Sequence, residues 1–230
     1  MKAPYTCYCC EGIGNTNEHA PPKSIYPKQK YLPEGSPDYR KNLITVPSCK
    51  KHNNDKSGDD EYLLALFTLS IPESKIAEPM MKKWIEAFKR NDSLAKRIFS
   101  LYRKITILTQ KNNLLIPEKT FAITAEKERI NNAIKSTVRA LYYHESKYKN
   151  KWLNDFTVTS PNFLNQNLFI DVQRQEIYRD FFQAFANPNI IKKGPHHDIF
   201  FYQMLEEGLE GACVMKLVFY KHLVFFALLV

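Results

Sequence analysis

The first twenty residues of this 230-residue chain are polar and lack the apolar run that forms a signal-peptide core. Cysteine is scarce as well. There are five, Cys7, Cys9, Cys10, Cys49 and Cys213, and three of them crowd into residues 7–10. That layout is a poor disulfide framework and a good one for a metal. Both observations lead to the expectation of a cytoplasmic protein with reduced thiols. No internal repeat and no low-complexity tract is present. An uninterrupted membrane span is missing too. The nearest approach, "GACVMKLVFYKHLVFFALLV", is broken by Lys216, Lys221 and His222 and has no basic flank after it. Two buried strands joined by a tight turn at "YKH" account for it better, and no membrane partner is expected.

What is present is enough apolar residue for a core, 44% of the chain, which argues against wholesale disorder. Lys and Arg exceed Asp and Glu by nine, a balance that favours a polyanionic partner such as nucleic acid.

Residues up to about 48 are rich in Pro, Gly, Asn and Tyr and show turn chemistry in "CYCCEGIG" and "PEGSPDY". "NLITVPS" is a short β-prone run that leads straight into Cys49. The pattern then turns helical. "DDEYLLALFTLS" puts Asp59, Asp60 and Glu61 in a first turn and Leu63, Leu64, Leu66 and Phe67 at helical spacing. A helical region follows, with Pro79 near a helix start and a break at "RND". "AEKERINNAIKSTVRALYYHES" is a clear amphipathic helix with Ile130, Ile134, Val138, Leu141 and Tyr142 as its stripe. "NLFIDVQRQEIYRDFFQAF" fits strand-then-helix or one helix equally. "DIFFYQML" and the terminal run are strand candidates. The expected class is α+β: a small metal-built module at residues 1–72, then residues 73–230, helical first and ending in a β-hairpin.

The metal chemistry rests on two spacings. Cys7 and Cys10 form C-x-x-C, and Cys49 and His52 form C-x-x-H, so each turn brings two donors to one ion and the four complete a tetrahedral Cys3His set. Cys9 is an alternative to either N-terminal ligand. A closed set of this kind is structural, and a Pro-rich segment too short to build its own core needs such a staple. A second feature is "NEHAPPKSIYP". Glu18 is a hard oxygen donor for a divalent cation, and His19 is the side chain best matched to proton transfer near neutral pH. Taken alone, an acid–histidine pair is most simply a surface pair. Asn53 adds to it: with His52 bound to a metal, the carboxamide next to it is held in direction and can complete a site with Glu18. Lys23, beside the pair, is a candidate phosphate contact.

The order acid–His, Asn, then C-x-x-H-Asn-x-x-Lys, in "EHAPPKS" and "NLITVPSCKKHNNDKS", resembles the HNH (ββα-metal) nuclease family, in its zinc-stapled variant. The resemblance covers residues 7 to about 62. It implies an endonuclease acting on nucleic acid, with double-stranded DNA favoured over RNA. It also implies structural Zn²⁺ on the Cys3His set and a catalytic Mg²⁺ or Mn²⁺ held by Glu18 and Asn53. His19 is then the general base, Asn42 the residue that orients it, and Lys56 the basic residue a turn after Asn53. Glu18 stands where Asp is more usual. Asn53 replaces a final His, which favours a hard ion, and the Asn42–Cys49 segment is slightly long for the pattern. A non-catalytic zinc module that binds nucleic acid is the competing expectation; it explains the clip and the charge but gives Glu18, His19 and Asn53 no task. The edge of the terminal hairpin adds the expectation of a self-association or regulatory-ligand surface in residues 73–230.

Overall fold

Thr16–His19 (β1) and Thr45–Ser48 (β2) pair antiparallel, with Glu18 opposite Val46 and His19 opposite Thr45. The chain leaves β2 through Cys49 directly into a short helix, Lys50–Asn54 (α1), which packs against β1. This β–β–α unit opens a computed structural model that describes residues 5–54, 57–71, 78–90, 92–111, 114–147, 152–163, 168–206 and 213–229. Helix α2 (Ser57–Ser70) follows, with Asp59 and Asp60 in its first turn and Leu63, Leu64, Leu66 and Phe67 buried, as the spacing predicts. Helices α3 (Glu78–Arg90) and α4 (Asp92–Phe99) flank the expected break.

The helical-first region also contains a long hairpin, β3 (Tyr102–Lys111) with β4 (Leu114–Ile123), which the sequence reading does not anticipate. Its strands alternate and carry the β-branched run Ile105-Thr106-Ile107. Yet Leu108, Leu114 and Phe121 lie exposed, so there is no one-sided apolar pattern to announce a sheet. Helix α5 (Lys127–Glu145) buries Ile130, Ile134, Val138 and Leu141; the last turn inserts Tyr143, while Tyr142 is only partly buried. The ambiguous aromatic segment is one helix, α6 (Leu168–Ala184).

The remaining strands are β5 (Phe156–Thr159), β6 (Lys193–His196), β7 (Phe200–Leu205), β8 (Cys213–Phe219) and β9 (Leu223–Leu229). They form one antiparallel sheet in the order β5-β9-β8-β7-β6. One face, with Met215, Leu217, Phe219, Phe225 and Ala227, joins the core of α2 and α5; the Phe67 ring centre lies 4.8 Å from that of Phe219, tilted by 54°. The other face, with Val214 and Phe226, takes the aromatic residues of α6, Phe181 lying 4.9 Å from Phe226. Covering most of both faces explains why the terminal run reads as nearly continuous apolar sequence. No helix among the described residues is long and apolar enough to cross a membrane. A boundary at residue 72 falls in 72–77, outside the described residues. The buried cluster itself runs from Cys7 through α2 and α5 to Leu229.

The three-residue β8–β9 connection has two non-glycine residues at positive φ, Tyr220 at 51° and Lys221 at 66°, the central pair of a turn closed by the His222 N–H to Phe219 O bond at 3.1 Å. Tertiary contacts hold this unfavourable backbone. The buried Tyr220 hydroxyl donates to the Ile25 carbonyl at 2.6 Å, and Lys221 pairs with Asp198 at 2.5 Å. Tyr220→Phe leaves that carbonyl dry and unpaired, and is expected to cost about 1–3 kcal/mol in denaturant unfolding.

At the end of α5, Glu145 accepts from Lys193 Nζ and from the Tyr202 hydroxyl, both at 2.6 Å. Burial pushes its carboxyl up, but the Lys193 and Tyr202 hydrogen bonds outweigh it and hold the group below its ordinary value. A depressed carboxyl stabilises the fold above its unfolded pKa and loses that contribution as the pH falls through the folded value. Glu145→Gln is therefore expected to cost about 1 kcal/mol near neutral pH. Urea midpoints of the two proteins should converge as the solution is acidified past the folded value.

Candidate metal centre

The N-terminal turn is built before any metal is considered. Cys7 N–H donates to Gly12 O at 2.7 Å, and Cys10 N–H to Cys7 O at 3.4 Å, which folds C-x-x-C back on itself. Tyr8 N–H reaches Pro47 O at 2.9 Å and fixes the turn beside β2. Gly14 permits that approach: a Cβ there would lie 2.5 Å from the Pro47 Cβ.

The Sγ atoms of Cys7, Cys10 and Cys49 and a ring nitrogen of His52 all lie within 4.8 Å of one another. The His52 Nδ1 is 3.5 Å from Cys7 Sγ and 3.2 Å from Cys49 Sγ. Tetrahedral ligation with bonds of about 2.3 Å to sulfur and 2.0–2.1 Å to nitrogen puts such atoms roughly 3.5 Å apart, so the donor set fits a metal ion of that kind. The sequence left Cys9 as an alternative; here it stands outside the group and donates its backbone N–H toward Cys7 Sγ at 3.5 Å. Burial pushes the Cys10 thiol up to about 11, helped by the thiols of Cys7 and Cys49. Cys49 is held below its ordinary value, first by the backbone N–H of His52. Three sulfurs and a ring nitrogen gathered this closely suit a cation, whose binding displaces protons from the thiols.

Residues far along the chain complete the clip, and no sequence signal marks them. The Trp152 indole N–H donates to the Cys7 carbonyl at 2.8 Å. The Tyr143 hydroxyl donates to the Thr6 carbonyl at 3.0 Å, and the Tyr8 hydroxyl lies 2.8 Å from Ser136 Oγ. Helix α5 and the residues after it therefore grip both sides of Cys7.

The acid–histidine pair closes β1. Glu18 is 6% exposed, and its Oε1 accepts the backbone N–H of His19 at 3.0 Å. Neighbouring residues on a strand face opposite sides, so Glu18 goes inward with Val46 while His19 remains half-buried. Asn53 is half-buried on α1, the helix lying against β1, and its N–H donates to Cys49 O at 3.1 Å. Asn42 is exposed at φ 56°, just before the Ala20 N–H to Ile44 O bond that continues the β1–β2 pairing. Its loop is pinned from the large sheet, where His196 Nε2–H, at the end of β6, donates to Lys41 O at 3.0 Å. Lys23 is exposed at the start of a short 3₁₀ turn, Lys23–Ile25, and Lys56 lies outside the described residues. The four soft donors form one group, and Glu18 on β1 and Asn53 on α1 stand outside it. No protein-family model, curated protein or solved structure matches this chain.

Proposed function

We propose that this chain is a metal-dependent endonuclease of the ββα-metal type that hydrolyses phosphodiester bonds in DNA. The observation that carries the reading is the β1–β2–α1 unit, in which β1 ends on Glu18-His19 and α1 presents Asn53 directly after a Cys3His ligand. The Cys3His set binds a structural Zn²⁺, which keeps α1 in place and leaves no open coordination position for chemistry. His19 takes a proton from the water that attacks phosphorus in line, and its partial exposure lets substrate reach it. Asn42 orients that ring. Glu18 and Asn53 offer only oxygen donors, a set that suits a hard ion. Mg²⁺ or Mn²⁺ bound there supplies charge stabilisation for the phosphorane and the leaving oxygen. Lys23 and Lys56 supply positive charge to the backbone phosphates, in keeping with the net charge of +9.

The direct test incubates the purified protein with supercoiled plasmid, linear DNA and RNA, each with Mg²⁺, Mn²⁺ or EDTA. Nicking that requires the divalent ion supports the reading. Cleavage that survives EDTA removes the mechanism, and binding without cleavage under every condition selects the non-catalytic zinc module instead.

A further inference from the structure

On the sheet face away from α2 and α5, a lysine occupies a position where an apolar residue is expected. Lys216 lies on the central strand β8, directly between Gln203 of β7 and Phe226 of β9, with Val214 and Val218 along its own strand. Its ammonium sits 5.2 Å from the Phe182 ring centre and 5.6 Å from that of Phe185, both on or just after α6. It opens into a cleft of about 610 Å³ that is also lined by Phe185, Lys192, His197, Phe201 and Gln203. Lys192 holds its own ammonium 4.9 Å from the Phe201 ring centre. Among the described residues neither ammonium is paired with a carboxylate.

We propose that this cleft binds a nucleoside monophosphate or a compound of the same build, a phosphate joined to a planar aromatic body. Two ammonium groups within one cleft, neither paired with a carboxylate among the described residues, leave about two positive charges for a ligand to neutralise. A phosphate monoester carries about −1.5 to −2 near neutral pH and matches them, whereas a single carboxylate does not. His197 adds a further donor at the rim. Ile190 and the exposed Ile191, beside the buried rings of Phe185 and Phe201, provide an apolar wall against which a flat base packs, and the volume falls within the roughly 300–1,000 Å³ of small-molecule sites. Burial and the charge of Lys192 together lower the pKa of Lys216, the strain that a bound anion would relieve. The cleft lies across the sheet from the helices that grip the metal clip, so the inference stands apart from the nuclease reading.

Isothermal titration of the intact protein with AMP, adenosine, inorganic phosphate and benzoate tests it. AMP is expected to bind, with adenosine, phosphate and benzoate each at least about tenfold weaker. Lys216→Met and Lys192→Met are each expected to weaken AMP by about tenfold or more, and added salt should weaken it further. Lys216→Met keeps the length of the side chain and removes a half-buried charge, so its melting temperature should equal or exceed that of the wild type. His19→Ala should bind AMP as the wild type does, which separates the cleft from product binding at β1. No AMP binding at millimolar concentration, phosphate alone binding as tightly as AMP, or affinity unchanged in Lys216→Met would each overturn the proposal.

Discussion

With zinc on the Cys3His set as proposed, Cys49→Ala should fail to retain the metal and melt roughly 10–20 °C below the wild type, a shift that corresponds to about 5 kcal/mol in a chain of this size. The elements around the site explain the size of the loss. β1 and β2 have four residues each and α1 has five. A two-stranded hairpin is marginal in water, and a helix of that length does not persist unaided. The Cys3His donor set brings the Cys7–Gly12 turn to the start of α1. Zinc binding in small modules is worth about 10–16 kcal/mol and is released as folding energy. The expected loss is smaller because Trp152, Tyr143 and Tyr8 also anchor the turn to the main core. Metal analysis and thermal melts of Cys49→Ala and Cys10→Ser, with Cys9→Ser as the control that keeps its metal, decide the matter. Equal melting temperatures for the wild type and Cys49→Ala would remove the staple from the account.

The parts of the fold that were legible in the sequence are those fixed by local chemistry. Two donors on one turn must sit three residues apart, so C-x-x-C and C-x-x-H announced the clip without knowledge of the fold. Lys221 and His222 could not be buried in mid-strand, so they marked the turn between β8 and β9. The stripe of α5 was visible because one face meets the core and the other meets water. Other features depend on partners far away. Nothing near Trp152 in sequence indicates that its indole supports Cys7, 145 residues earlier. α6 hid its period because its aromatic residues surround Phe226 from several directions, among them Tyr178, Phe181 and Phe182. Lys216 read as an interruption that spoke against a membrane span. Only the sheet register puts it among aromatic rings beside Lys192. Of the acid–histidine pair, sequence supplied the residue types, while the inward side of Glu18 and the half-open side of His19 came from strand pairing.

His19→Ala should separate chemistry from folding. Its expected effect is a fall of about 10²–10⁴-fold in the rate of DNA cleavage, the usual contribution of a positioned general base. Zinc content and melting temperature should remain those of the wild type. The pairing of β1 with β2 is made by main-chain groups, and it continues past His19 in the Ala20 N–H to Ile44 O bond, so the strand survives loss of the ring. Glu18 and Asn53 also remain, so DNA binding should persist while turnover falls. Imidazole supplied in solution should restore part of the rate, because the missing group is a proton acceptor and His19 is only half-buried. Cys49→Ala must show the opposite pattern, losing metal, stability and cleavage together. If His19→Ala cleaved at the wild-type rate, or lost its fold along with its activity, the base would have to be sought elsewhere. Rate loss with an intact clip assigns proton transfer to the residue beside the buried carboxylate and leaves His52 with the scaffold.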